Sequence, residues 1–186
     1  RGAEIKDNPA RHLRVRGTGD SRAPFFTDED EKRLLYELSQ MSNQNHLRLT
    51  KLALTTGFRR SELLSLTWRN LDLKKNKIYV QRKECAARGS SSSMRIVPLP
   101  IKAQKLLRSF ESKEGKVLPL TKGSARNGFD KARKRAGLET LRFHDLRHIA
   151  ISRMWSYGMN ALEISACSGH RDIKMLMRYS HYQLSF

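Results

Sequence analysis

Apolar residues recur at helical spacing along most of this chain, and one central stretch breaks that rule. Leu34, Leu35 and Leu38 form one stripe, Leu49, Leu52 and Ala53 a second, Leu63 and Leu66 a third, and Leu106, Leu107 and Phe110 a fourth. Side chains three or four apart share a helix face, so each stripe asks for a helix with one buried side. Leu71, Leu73, Ile78 and Val80 instead read as short strands turning at residues 74–77. Residues 78–83 and 94–99 read as the two strands of a hairpin, with Pro98 and Pro100 ending the second. Its tip, CAARGSSSS, is a Gly/Ser-rich segment that must be exposed. The pattern predicts an α+β fold: mostly helical, with a small antiparallel sheet in the middle.

The helix boundaries are marked in the sequence. Thr27-Asp28-Glu29-Asp30 is a capping residue followed by acids in the first turn. Further helices are expected at about 46–55, stopped by Gly57, then at 58–66 and 101–110. Residues 111–120 read as loop. A helix dense in Lys and Arg follows at about 122–136, closed by Gly137, and then helices at 144–156, at 160–167 and from about 172. Residues 1–25 hold Gly, Pro, Arg and Asp without a sustained period. They read as an interdomain linker or arm, whose arginines at 11, 14, 16 and 22 either track a DNA backbone or simply solvate a tether. Residues 26–186 make one domain. The chain begins at Arg1 rather than Met, and we read it as part of a longer protein.

Charge narrows the partners. Thirty-seven Lys and Arg against 18 acids give a formal net charge of +19 and a pI near 10.5. A merely basic surface is the weaker reading of so large an excess, which predicts a polyanionic partner, nucleic acid above all. No apolar run approaches the roughly 20 residues of a membrane span, and no signal-peptide pattern opens the chain. Cys85 and Cys167 match no metal spacing and read as reduced thiols of a cytosolic protein.

The residues that carry chemistry lie late in the chain. His144 and Arg147 are three apart, Ser168-Gly169-His170 forms a turn, and Tyr179 follows nine residues after His170. A guanidinium grips phosphate oxygens with two prongs, imidazoles donate to the same oxygens, and a phenol is a nucleophile. Upstream, Arg59 precedes Glu62 by three, so the carboxylate is placed to hold a guanidinium that faces phosphate; a surface ion pair of little worth is the alternative. His144 and His148 are four apart, a spacing that suits zinc, but no Glu completes an HExxH pattern. Tyr182 competes with Tyr179 for the nucleophile's part, whereas Tyr36, Tyr79 and Tyr157 fall at core or boundary positions. His148 and His181 read as packing or capping residues.

Taken in order, TGFRRSELLSL, HDLRH, SGH and MRYSH resemble the motifs of the tyrosine recombinases, the phage-integrase family. The Arg-Ile-Val-Pro-Leu strand at 95–99 is similar to the family strand that follows the catalytic-lysine hairpin. The resemblance covers residues 25–182 and implies the recombinase catalytic fold. It assigns Arg59 and Arg147 to clamp the scissile phosphate, His144 and His170 to assist, Glu62 to orient the site and Tyr179 to attack. It also implies a lysine as general acid in the hairpin, and Lys83 is the lysine there. Eleven residues separate Lys83 from Arg95, longer than the family's usual tight turn, and Ser168 stands where Leu is commoner, which reads as a packing variation.

The resemblance further implies an enzyme that breaks and rejoins DNA without cofactor or metal, in integration, excision or inversion. The expected partners are double-stranded DNA recombination sites, three further copies of the protein in a homotetramer and accessory DNA-bending proteins, in the bacterial cytoplasm at the nucleoid. A type IB topoisomerase and a non-catalytic DNA-binding module are the rival readings.

Overall fold

The structure is a computed structural model that describes residues 26–81, 94–111, 113–170 and 172–177. Its first helix begins where Thr27 caps it. The Asp30 amide donates to the Thr27 hydroxyl, and the Thr27 amide donates back to the Asp30 carboxylate at 2.9 Å. This reciprocal cap satisfies two amides that a helix start leaves open. Helix α1 (Asp28–Ser39) buries Leu34 and Leu38. Helix α2 (Asn45–Thr56) buries Leu49, Leu52 and Ala53 and stops at Gly57, which adopts a left-handed φ of 65°. Arg59 is the N-cap of the short α3 (Arg60–Ser65), whose Leu63 and Leu64 enter the core.

Strands β1 (Leu71–Asp72), β2 (Lys77–Gln81) and β3 (Met94–Pro98) form one antiparallel sheet in that order. Leu73, expected in a strand, lies in the turn instead. The register pairs Ile78 with Val97 and Val80 with Arg95. Ile78, Val80, Arg95 and Val97 are the buried residues of this pair of strands, so one face of the sheet meets the core. Arg95 thus holds a buried strand position that normally selects Val or Ile. Residues 82–93, with Lys83 and Cys85, lie outside the described residues, as does the arm at 1–25.

Helix α4 (Ile101–Arg108) leads into the segment expected as loop. That segment is tied down: the Trp68 amide donates to Gly115, the Val117 amide donates to Leu66 at 2.9 Å, and Val117, Leu118 and Leu120 are buried. Then follow α5 (Lys122–Arg135), α6 (Asp145–Ser156), α7 (Ala161–Ser168) and α8 (Lys174–Met177). Helix α2 runs through the middle, against α1, α3, α4, α5 and α6, while α7 packs on β3. Of the tyrosines expected at core or boundary positions, Tyr36 departs, lying mid-helix and 63% exposed, whereas Tyr157 marks the C-terminal boundary of α6. Tyr36 is two residues from both Leu34 and Leu38, which places it across the helix from their stripe.

Helices α2 and α5 approach closely at one point. A Cβ on Gly128 would lie 2.4 Å from the buried His46 ring, whose Nδ1 has no hydrogen-bond partner among the described residues. Gly128→Ala should therefore cost about 1–3 kcal/mol in urea unfolding, and less in a His46→Ala background. Burial also lowers the His46 pKa from 6.5, so folding favours the neutral ring. This contribution is whole above pH 6.5 and lost as pH falls through the depressed value. The acid limb of a melting-temperature profile should flatten in His46→Gln.

Candidate active site

Five of the residues singled out in the sequence, Arg59, Glu62, His144, Arg147 and His170, meet where α2, α3, α6 and α7 end or begin. Arg147, in the first turn of α6, is 3% exposed. Its Nη1 donates to the Gly57 carbonyl at 2.8 Å and to the Ser168 carbonyl at 2.7 Å. Gly57 caps the C-terminus of α2, and Ser168 is the last residue of α7. Two helices therefore turn the negative ends of their dipoles on one guanidinium, and their spare carbonyls find a donor there. Arg147 Nη2 lies 3.2 Å from both ring nitrogens of His170.

Glu62 is buried in α3, and its two oxygens serve two arginines. The Arg59 amide donates at 2.8 Å and Arg59 Nη1 at 3.2 Å; Arg95 adds Nη1 at 3.0 Å and Nη2 at 3.3 Å, one to each oxygen. Burial alone would raise the Glu62 pKa, but the Arg95 charge and hydrogen bonds, then the Arg59 amide and charge, hold it below the usual value. Arg95 is buried and rests over the Phe58 ring, 5.0 Å from its centroid. Arg59 is 40% exposed in its side chain and extends its Nη2 toward the Gly169 carbonyl at 3.5 Å.

Ser168 is fully buried, and its role is polar as well as steric. Its hydroxyl donates to the Ile164 carbonyl at 2.6 Å and lies 2.7 Å from His170 Nδ1. With its one proton committed to Ile164, the oxygen is left to accept from Nδ1–H, which sets the tautomer of His170. Ser165 adds a bond to the His170 carbonyl at 2.7 Å. His144 is the N-cap residue of α6 and is exposed at the cavity. Partial desolvation, then the charges of Arg147 and Arg59, lower its pKa from 6.5 against the opposing charge of Asp145. Its ring meets that of His148 edge-on at 5.0 Å, and among the described residues no third His, Cys, Asp or Glu completes a metal-binding group.

Arg59, His144 and Arg147 line a cavity of about 650 Å³. Arg60, Lys122, Arg126, Arg133 and Arg142 complete a cationic wall in which, among the described residues, Asp130 is the one carboxylate. Asp130 accepts from Arg133 at 2.8 Å and lies 3.7 Å from Arg126. A concave surface with this balance of charge suits a polyphosphate chain.

The structure thus brings Arg59, Glu62, His144, Arg147 and His170 together. Tyr179, Tyr182 and Lys83 lie outside the described residues. The sequence reading missed two members of the cluster. Arg95 was read only as part of a strand, although a charge between alternating apolar residues was a usable signal. Ser168 was read as packing, and nothing local announces its bond to a histidine two residues on. Glu62→Gln leaves Arg95 buried without its counter-charge, so it should cost about 3–5 kcal/mol in urea unfolding. Arg59→Ala, at the exposed side of the same carboxylate, should cost under about 1 kcal/mol.

Comparison with known proteins places the chain in a family. The profile of the phage integrase family matches residues 24–185. A shufflon-specific DNA recombinase of Escherichia coli is 33% identical over 181 residues, which is 95% of this chain and 44% of that protein. An integrase of Escherichia phage 186 is 30% identical, over 95% of this chain and 49% of its own length. The chain spans about half the length of the curated relatives it matches. Among solved structures, the catalytic domain of bacteriophage HP1 integrase superposes with a TM-score of 0.70 at 28% identity, covering 86% of this chain and 88% of that one. A XerA recombinase shares the fold at TM-score 0.65 and 21% identity, over 89% of this chain and 61% of that one. With its motifs, its clustered arginines and histidines and these matches in accord, the chain belongs to the phage integrase family.

Proposed function

We propose that this chain is the catalytic domain of a site-specific DNA recombinase that cuts and rejoins strands through a 3′-phosphotyrosyl link. The observation that carries this reading is the meeting of Arg59, His144, Arg147 and His170 beside one cationic cavity. Negative charge grows on the non-bridging oxygens as a nucleophile adds to phosphorus, and fixed guanidinium and imidazole donors stabilise it. In this reading Arg59 and Arg147 grip the scissile phosphate, His144 and His170 assist that clamp, and Glu62 fixes Arg59. Tyr179 attacks in line, and Lys83 protonates the departing 5′ oxygen. Phosphorus exchanges one ester bond for another, so the bond energy is conserved and a 5′ hydroxyl from another strand reverses the step.

Double-stranded DNA is the partner that fits the charge of +19. The cationic wall beyond Arg59 then follows the backbone on one side of the cleavage point. The 33% identity to a shufflon-specific recombinase supports inversion of a DNA segment as the outcome. Assembly of four copies on two sites is part of the same proposal.

A nicked duplex carrying the cognate site, without divalent metal, tests the chemistry. Wild type should form a denaturant-stable protein–DNA adduct, and Tyr179→Phe should form none. An adduct lost in Tyr182→Phe instead moves the nucleophile three residues along. No adduct from full-length protein on its own site overturns the recombinase reading in favour of a DNA-binding module. Each phosphate contact releases counterions, so affinity should fall steeply with salt, with the slope reduced by about one unit in Arg126→Ala.

A further inference from the structure

Arg95 belongs to none of the motifs that define the site, does not line the cavity, and is nonetheless joined to it. It projects from the core-facing side of β3, where an apolar residue would bury more cheaply. Its fork meets both oxygens of Glu62, at 3.0 and 3.3 Å, and Glu62 in turn holds the Arg59 backbone and side chain. Gly169 shows how closely this arginine is fitted. A Cβ at Gly169 would lie 1.9 Å from Arg95 Nη1, and the residue has a left-handed φ of 72°. The same glycine offers its carbonyl to Arg59 and precedes His170.

Charge gives this arrangement a purpose. One carboxylate between two guanidiniums leaves a net single positive charge, and the buried Arg95 is placed so that the surplus resides on Arg59, toward the cavity. Without Arg95, the positions its fork takes up on both Glu62 oxygens would be open to the Arg59 guanidinium, which now reaches only one of them. A carboxylate and a guanidinium make a planar, two-pronged pair, and such a pair would turn Arg59 inward and neutralise it. We propose that Arg95 is a positioning residue for the phosphate site, acting through Glu62 to keep Arg59 extended and charged toward phosphate, in a notch that only glycine at 169 leaves open.

This inference rests on the recombinase reading for its rate measurement, so the test carries a readout independent of it. Adduct formation on the nicked duplex would be compared in full-length wild type, Arg95→Lys, Arg95→Met and Arg59→Ala, and in Arg59→Ala combined with Arg95→Lys. Arg95→Lys keeps the buried charge and removes the fork, and its melting temperature should stay near that of wild type. A displacement of about 1 Å at a reacting centre costs on the order of 100-fold, so Arg95→Lys should slow adduct formation by about 10- to 100-fold, with DNA affinity changed by less than about threefold. Residues acting through one another are not additive, so in the Arg59→Ala background the same change should cost less than about twofold more. Replacing the scissile phosphate by an uncharged methylphosphonate should shrink the Arg95→Lys defect, because there is less charge for Arg59 to meet. Independently, inorganic phosphate titrated against the Arg59 Nε–H signal in NMR should bind more weakly in Arg95→Lys.

Equal losses in the wild-type and Arg59→Ala backgrounds would overturn the proposal, as would an unchanged phosphate titration. Should Arg95→Lys unfold, Arg95→Met combined with Glu62→Gln removes both buried charges at once and is read by the same titration: with no carboxylate left to turn it inward, Arg59 should bind phosphate within about threefold of wild type, and a larger loss would show that Arg95 does not act through Glu62 and would overturn the proposal. If wild type itself forms no adduct, the recombinase reading fails and the phosphate titration alone decides the part played by Arg95.

Discussion

A buried arginine joins the two halves of the site. Arg147 is taken out of water, and its charge is met by carbonyls at the C-terminal ends of α2 and α7, helices far apart in sequence. Moving a cation into an interior is costly unless its donors are satisfied. Here the cost is offset by groups that helix ends leave unbonded in any case. The consequence is geometric. The Arg59 motif follows α2 and His170 follows α7, so the guanidinium that fixes the two helix ends also fixes the spacing of Arg59 and His170.

A second cation supports the first from the opposite side. Arg95 carries the position of the sheet into Glu62, and Glu62 carries it into Arg59. Hydrogen bonds to an ionised partner are directional and strong, and burial makes them stronger still. Arg59, Arg147 and His170 therefore stand on a polar framework, while the apolar core formed by Phe58, Leu63, Leu146 and Ile151 closes around it. The left-handed glycines at 57 and 169 are needed for the same reason, since each turns the chain sharply while presenting a carbonyl to an arginine.

Much of the fold was legible in the sequence because its signals are local. Thr27 with Asp30, the stop at Gly57 and the Leu49–Leu52–Ala53 stripe each predict an element without reference to the rest of the chain. The motif residues were legible as a set, through order and spacing, and the structure gathers Arg59, Glu62, His144, Arg147 and His170. What could not be read depends on contacts across the chain. Arg95 meets Glu62 thirty-three positions away, and no periodicity records that pairing. Ser168 looked like a substitute for an apolar residue because its burial was predictable and its hydroxyl's partners were not. Tyr36 went astray for a simpler reason: an aromatic ring suggests a core, and only its place opposite the Leu34–Leu38 stripe puts it in solvent.

The cationic wall along α5 also bears on how the domain behaves when nothing is bound to it. Arg60, Lys122, Arg126, Arg133 and Arg142 face one cavity, with Asp130 the only carboxylate lining it among the described residues. Like charges held together raise the free energy of the empty fold and lower that of any state in which an anion lies between them. A polyanion that bound there would select the folded chain over the unfolded one, and folding and binding would be linked equilibria. An anion held in that cavity would release the repulsion among these guanidinium and ammonium groups, so the empty domain would be the less stable state.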